Sequence, residues 1–259
     1  GNFTSDKIGS YPVTIGDTYL SNLTLKTAEI NIVNVTDDFS TLQNLIDNAN
    51  GTLTLDKNYT YNPLTDADLY AGIWIVENII IDGAGFTIDG CNQARIFYIE
   101  SGKVTIKNIT FINGNVSYGG GAIIWDASNG QLADCTFINN HAGSGGAVEW
   151  SGKKGIISNC MFMNNSAADV GGAIYLDYNG NCEILDSSFI DNHAGNGGAI
   201  YDDACDSIHV SGSNFINNSA DEYGGAIMCE DCESIDISDC TFTNNSAGLG
   251  SGAIDLTGC

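Results

Sequence analysis

One short phrase recurs along this chain on a fixed period, and that period limits the fold more than any other feature. Phe137-Ile138-Asn139-Asn140 is followed by Gly145-Gly146-Ala147-Val148. The pair returns as Phe162 to Asn165 with Gly171 to Ile174, and as Phe189 to Asn192 with Gly197 to Ile200. It returns again as Phe215 to Asn218 with Gly224 to Ile227, and as Phe242 to Asn245 with Gly252 to Ile254. Successive phenylalanines from Phe111 to Phe242 are 26, 25, 27, 26 and 27 residues apart. Such self-similarity marks a solenoid, in which each repeat buries its apolar face only against its neighbours.

The contents of the repeat choose among solenoids. The Leu-x-x-Leu-x-Leu pattern of leucine-rich repeats is absent. Short alternating runs such as Cys182-Glu183-Ile184 and Ile235-Asp236-Ile237 sit between Gly and Asn clusters, which is strand punctuation. Three strands and three turns fit one coil, so the period predicts a parallel β-helix whose equivalent residues stack about 4.8 Å apart. Three apolar columns follow: the phenylalanines; Ile123, Val148, Ile174, Ile200, Ile227 and Ile254; and Leu132, Ile157, Ile184, Val210 and Ile237. A fourth, polar column is Asn140, Asn165, Asn192, Asn218 and Asn245. Stacked amides can hydrogen-bond to one another along an inner turn, and Asn tolerates the left-handed conformation of a tight corner. Gly-Gly-Ala supplies a second corner, where small residues let coils approach.

The pairing of F-x-x-N with G-G-A-I resembles the repeats of chlamydial polymorphic outer-membrane proteins. The longer phrasing, Ile80-Ile81-Asp82-Gly83 and Val104-Thr105-Ile106-Lys107-Asn108-Ile109-Thr110-Phe111, is similar to the adhesin-like proteins of methanogenic archaea. The likeness runs from about Asp37 onward. It implies an all-β fold, a right-handed single-stranded parallel β-helix displayed at a cell surface as a segment of a larger protein. It carries over no catalytic residues.

Residues 1–51 are expected to hold lead-in strands (Leu20, Leu23, Leu25; Ile30, Ile32, Val33) and a short N-terminal capping helix, and residues 52–259 the β-helix. Ser40-Thr41-Leu42-Gln43 reads as a capping box. Leu42, Leu45 and Ile46 then share one helical face, and Asn50-Gly51 ends the helix. A helix there would cover the open edge of the first coil. Ile73-Trp74-Ile75-Val76 reads as a buried strand. The opening residues do not read as a signal peptide, so a mature fragment is expected, and the repeat, still in phase at Cys259, is expected to continue beyond it.

Eight Lys and Arg against 32 Asp and Glu give a net charge of -24, which argues against nucleic acid and anionic membranes as partners. No stretch is apolar for long enough to span a bilayer. The chemistry of a β-helical hydrolase or lyase needs paired carboxylates in a groove or a strong base. Residues 155–259 contain no Lys or Arg, and Arg95, the one Arg of the chain, reads as an ion-pair or coil-edge residue. His141 and His193 fall two coils apart and His209 on another strand, so they cannot converge. No catalytic residue is assigned and the chain is read as a non-enzyme, with a polysaccharide-active enzyme or a structural stalk as the rivals.

Stacked carboxylates are the candidate metal ligands. Asp203, Asp206, Glu230 and Glu233 could share calcium, the one cofactor the residues suggest. Cys135 with Cys160, and Cys205 with Cys232, stack on adjacent coils within disulfide reach. The single Cys-x-x-Cys at Cys229 and Cys232 is one pair only and is set aside as a zinc motif. Asn164, Asn217 and Asn244 lie in sequons that should point outward as glycosylation sites. Tyr175 and Tyr201 should stand side by side next to Glu149 on an outer face, as a ligand-binding strip, with Trp125 and Trp150 turned inward. The reading is a monomeric extracellular, cell-surface adhesin-like segment whose partner is a glycan or protein of another cell.

Overall fold

Each coil contributes one short strand to each of several parallel sheets, and the sheets run the length of the chain. The computed structural model describes residues 36–178 and 181–259. The lead-in strands expected before residue 36, and the sequons at Asn2, Asn22 and Asn34, lie outside these residues. Among the described residues there are four sheets, of nine, eight, eight and five strands. The nine-stranded sheet carries the phenylalanines, with Phe111, Phe137, Phe162, Phe189, Phe215 and Phe242 in direct register. Its rings stack at 4.8–4.9 Å, nearly parallel, from Phe111 to Phe242. That is the strand spacing itself, so the ladder of rings follows from backbone register.

The second sheet runs from Ile73–Ile75 to Ile254–Thr257 and carries the Ile123 to Ile254 column. Two residues further along the same strands is another inward column, in which Trp125 stacks on Trp150 at 4.2 Å, both fully buried. The third sheet carries Leu132, Ile157, Ile184, Val210 and Ile237. The fourth sheet, His141–Ser144 to Ser246–Ala247, was not foreseen in the three-strand coil. The stretch between the Asn column and the glycines is long enough to add its own short strand.

Corners depend on the left-handed backbone. The residue in that conformation is the one before each column Asn: Asn139, Asn164, Asp191, Asn217 and Asn244, with φ of 52–56°. The column Asn itself is therefore free to face inward, so two adjacent residues divide the work expected of one. A second corner uses Asn108, Asp134, Asn159, Asp186, Gly212 and Asp239 in the same way. Asn and Asp are among the few residues that enter this region at little cost.

Inside, Asn140, Asn165, Asn192 and Asn218 are fully buried. Each Nδ2 donates to the Oδ1 of the next Asn at 2.9–3.1 Å, from Asn140 through to Asn245. Each also donates to the carbonyl of a phenylalanine in the coil before, as Asn192 does to Phe162 at 3.0 Å. Each Oδ1 accepts a main-chain N–H as well, so the amide column leaves no donor stranded.

The helix α1, Phe39–Asp47, closes one end. Its cap is Asp38, whose carboxylate accepts from Thr41 N at 2.9 Å, and Ser40 lies within the first turn. The expected capping box is thus displaced, because Asp66 takes the Ser40 hydroxyl and the main-chain N–H groups of Phe39 and Ser40. Phe39, Leu42 and Ile46 face the core and Leu45 is exposed. Gln43 covers the sheet edge. Its Oε1 accepts from Trp74 N at 2.8 Å and its Nε2 donates to Trp74 O at 3.0 Å, which imitates a neighbouring strand. Helix and coils belong to one compact unit, Asn34–Cys259. No helix of the described residues is long and apolar enough to cross a membrane.

Asn192→Ala strands the main-chain and side-chain donors of Asn165 and the carbonyl of Phe162 in a dry interior. The expected loss is about 3 kcal/mol, read as a lower denaturant midpoint.

Candidate functional site

The outer face of the second sheet holds most of the outward chemistry. Its central outward column, in register order, is Trp74, Tyr98, Ile124, Glu149, Tyr175, Tyr201, Met228 and Asp255. A carboxylate column lies two residues on, in which Asp177, Asp203 and Glu230 are direct partners. The two columns are joined by hydroxyls. Tyr98 Oη donates to Asp126 at 2.8 Å and Tyr175 Oη to Asp177 at 2.9 Å, while Tyr201 donates to Glu230.

The Gly-Gly-Ala corner presses on this face. Gly145, Gly171, Gly197 and Gly224 all have φ near 60°. A Cβ on Gly197 would come within 2.9 Å of the Cβ of Tyr201, and one on Gly224 within 2.8 Å of that of Met228. The turn therefore shelters the outward column, and Tyr201 retains only 8% exposure. Tyr175 is half-buried, and its ring is tilted 53° from that of Tyr201 at 5.9 Å. The pair stands side by side as expected, but Tyr201 offers no open ring face. The open aromatic surface lies at the other end of the column. Trp74, 46% exposed, packs on Tyr98 at 4.7 Å. Sequence reasoning placed Trp74 inside a buried strand. The alternation of Ile73 and Ile75 inward with Trp74 outward was the available signal.

Electrostatics single out Glu149. Burial, reinforced by Asp177 and opposed by Arg95, pushes its carboxyl up to about 7. Burial raises Asp203 too, helped by Glu230 and Asp177. The bond to Asp126, then burial, takes Tyr98 up to about 12. Arg95 is buried beneath this region and takes a coil-edge role. Its guanidinium donates to the carbonyls of Gly120, Ala71 and Gly119 at 2.9, 2.7 and 2.7 Å, which ties neighbouring coils.

The expected calcium ligands do not come together. Asp203 and Glu230 are sheet partners, whereas Asp206 and Glu233 are exposed beyond Cys205 and Cys232. Among the described residues, the group of three ligand atoms within 4.8 Å of one another is Asp202, Cys229 and Cys232. The cysteines of the two expected disulfides are also not bridged to one another. Cys135, Cys160 and Cys232 donate instead to main-chain carbonyls two residues before them, at 3.2–3.4 Å. Side chains stacked in register project in parallel, which opposes the near-perpendicular dihedral of a disulfide. Asn164, Asn217 and Asn244 are exposed as expected. The three histidines are separate: His141 and His193 bond Ser166 and Ser219, and His209 bonds Asp236. A shallow cleft of about 390 Å³ beside Lys154, Glu183 and His209 lies on another face.

The family model for the right handed beta helix region matches residues 100–259, more than half of the chain. Neither a curated protein nor a solved structure matches it. The chain belongs to the right-handed β-helix family.

A proton sits on folded Glu149 between its ordinary value of 4.5 and about 7, where the unfolded chain has lost it. Stability therefore falls as pH rises through that window. Glu149→Gln is expected to melt higher than the wild type above pH 7 and equally below pH 4.5, by thermal scans across that range.

Proposed function

We propose that this right-handed β-helix is an adhesin-like attachment segment, displayed outside the cell, and that a glycan of a partner cell lies along the outer face of its second sheet. The observation that carries the reading is the line from the exposed Trp74 and its half-buried partner Tyr98 to the hydroxyls and carboxylates of Asp126, Tyr175, Asp177 and Asp203. Aromatic faces take the apolar face of a sugar, and carboxylates accept from its hydroxyls. The repeat phrase supports the same reading, through its likeness to surface adhesins. In this reading the segment acts as a monomer and turns nothing over.

One observation favours a second reading, a polysaccharide hydrolase. Glu149, at about 7 between Asp126 and Asp177, has the protonation of a general acid at neutral pH. A glycan array read beside a reducing-sugar assay separates the two. Binding without sugar release is expected. Trp74→Ala and Tyr175→Ala should each weaken it about tenfold, the worth of about 1.4 kcal/mol. Silence on the array sinks the attachment reading. Sugar release that Glu149→Gln abolishes replaces it with the hydrolase.

A further inference from the structure

One inward column breaks its own rule. From coil to coil it reads Ile75, Ile99, Trp125, Trp150, Leu176, Asp202, Cys229 and Leu256. Every position is apolar or a thiol except Asp202, which is fully buried. Its Oδ2 has no hydrogen-bond partner. An isolated carboxylate in such a place is costly and needs a compensating charge. The chain supplies none nearby in sequence, since residues 155–259 hold no Lys or Arg.

What surrounds Asp202 is sulfur. Asp202 is the direct partner of Cys229, and Cys205 and Cys232 each follow three residues later. Asp202-x-x-Cys205 therefore lies against Cys229-x-x-Cys232 on the next coil. Cys205, Cys229 and Cys232 are all at most 3% exposed. The Cys205 thiol donates to Asp202 Oδ1. The Cys232 thiol reaches the carbonyl of Asp202 at 3.8 Å, on the coil before. The ligand atoms of Asp202, Cys229 and Cys232 already lie within 4.8 Å of one another. A tetrahedral zinc with sulfurs at about 2.3 Å holds them about 3.8 Å apart, a small contraction for these three, with the Cys205 sulfur, now bonded to Asp202, turning in as the fourth.

We infer that Asp202, Cys205, Cys229 and Cys232 form a closed, tetrahedral site for one thiophilic divalent cation, zinc by its chemistry. Three thiolates select a soft or borderline metal over calcium or magnesium, and four protein ligands leave no open position. The ion gives the unpartnered oxygen of Asp202 a partner and pins two adjacent coils at their inner corner. The site is independent of the glycan-binding face and stands or falls without it.

Cobalt is the probe. The reduced full chain, unfolded and refolded with Co2+, is expected to bind one equivalent. Binding should show the visible bands of tetrahedral cobalt and a thiolate charge-transfer band, and zinc should displace both. Cys229→Ser and Cys232→Ser should lower affinity beyond the roughly ten- to hundredfold that losing an outer-shell partner costs, whereas Cys91→Ser should leave it unchanged. Asp202→Leu matches Leu176 and Leu256 in its column, so it should fold without metal and lose the cobalt spectrum. A reduced wild-type chain that refolds but gives no stoichiometric thiolate band overturns the site. A spectrum that persists in both serine variants overturns it as well.

Discussion

The structure depends on a single constraint, that chemically identical side chains lie one strand spacing apart along the axis. A column of asparagines satisfies it best, because an amide has a donor and an acceptor and can bond its own copy. The Asn140 to Asn245 ladder uses this to line a buried corner with polar groups at no cost in unmet hydrogen bonds. The phenylalanine rings stack at 4.8 Å on the same register, and the two tryptophans close to 4.2 Å. Register, once set by the amides, is repeated by every other column.

The same constraint explains why the outer face carries chemistry. Outward columns are free of the core's demand for apolar groups, so aromatic and acidic residues collect there without penalty to the fold. Stacking then makes neighbours of residues a full coil apart, and like charges are brought close. Burial first, and these like charges after it, make Glu149 and Asp203 hold their protons more tightly. The tyrosine hydroxyls relieve part of that crowding by donating to Asp126, Asp177 and Glu230.

Periodicity made much of this legible without coordinates. The apolar columns, the buried tryptophans and the Asn ladder all follow from counting, because a residue that recurs in phase must stack. The exposure of an outward residue does not follow from counting. Tyr201 is sheltered by the glycine turn beside it, while Trp74 near the first coil is not, though both occupy one column. Leu45 was misplaced for a related reason: a helix that rests on an open end buries only the turns that touch it.

The sequence by itself determined the solenoid, its register and its acidic character, since these reside in period and composition. Only the tertiary structure decided which stacked side chains turn inward and meet, and which of them is left without a partner. Asp202 and Cys229 are 27 residues apart along the chain and adjacent in space. A lone Cys-x-x-Cys became half of a four-ligand set once the coil below was laid against it. The physical reason is that a buried charge is judged by the groups around it in three dimensions, and the repeat says nothing about a residue that departs from it.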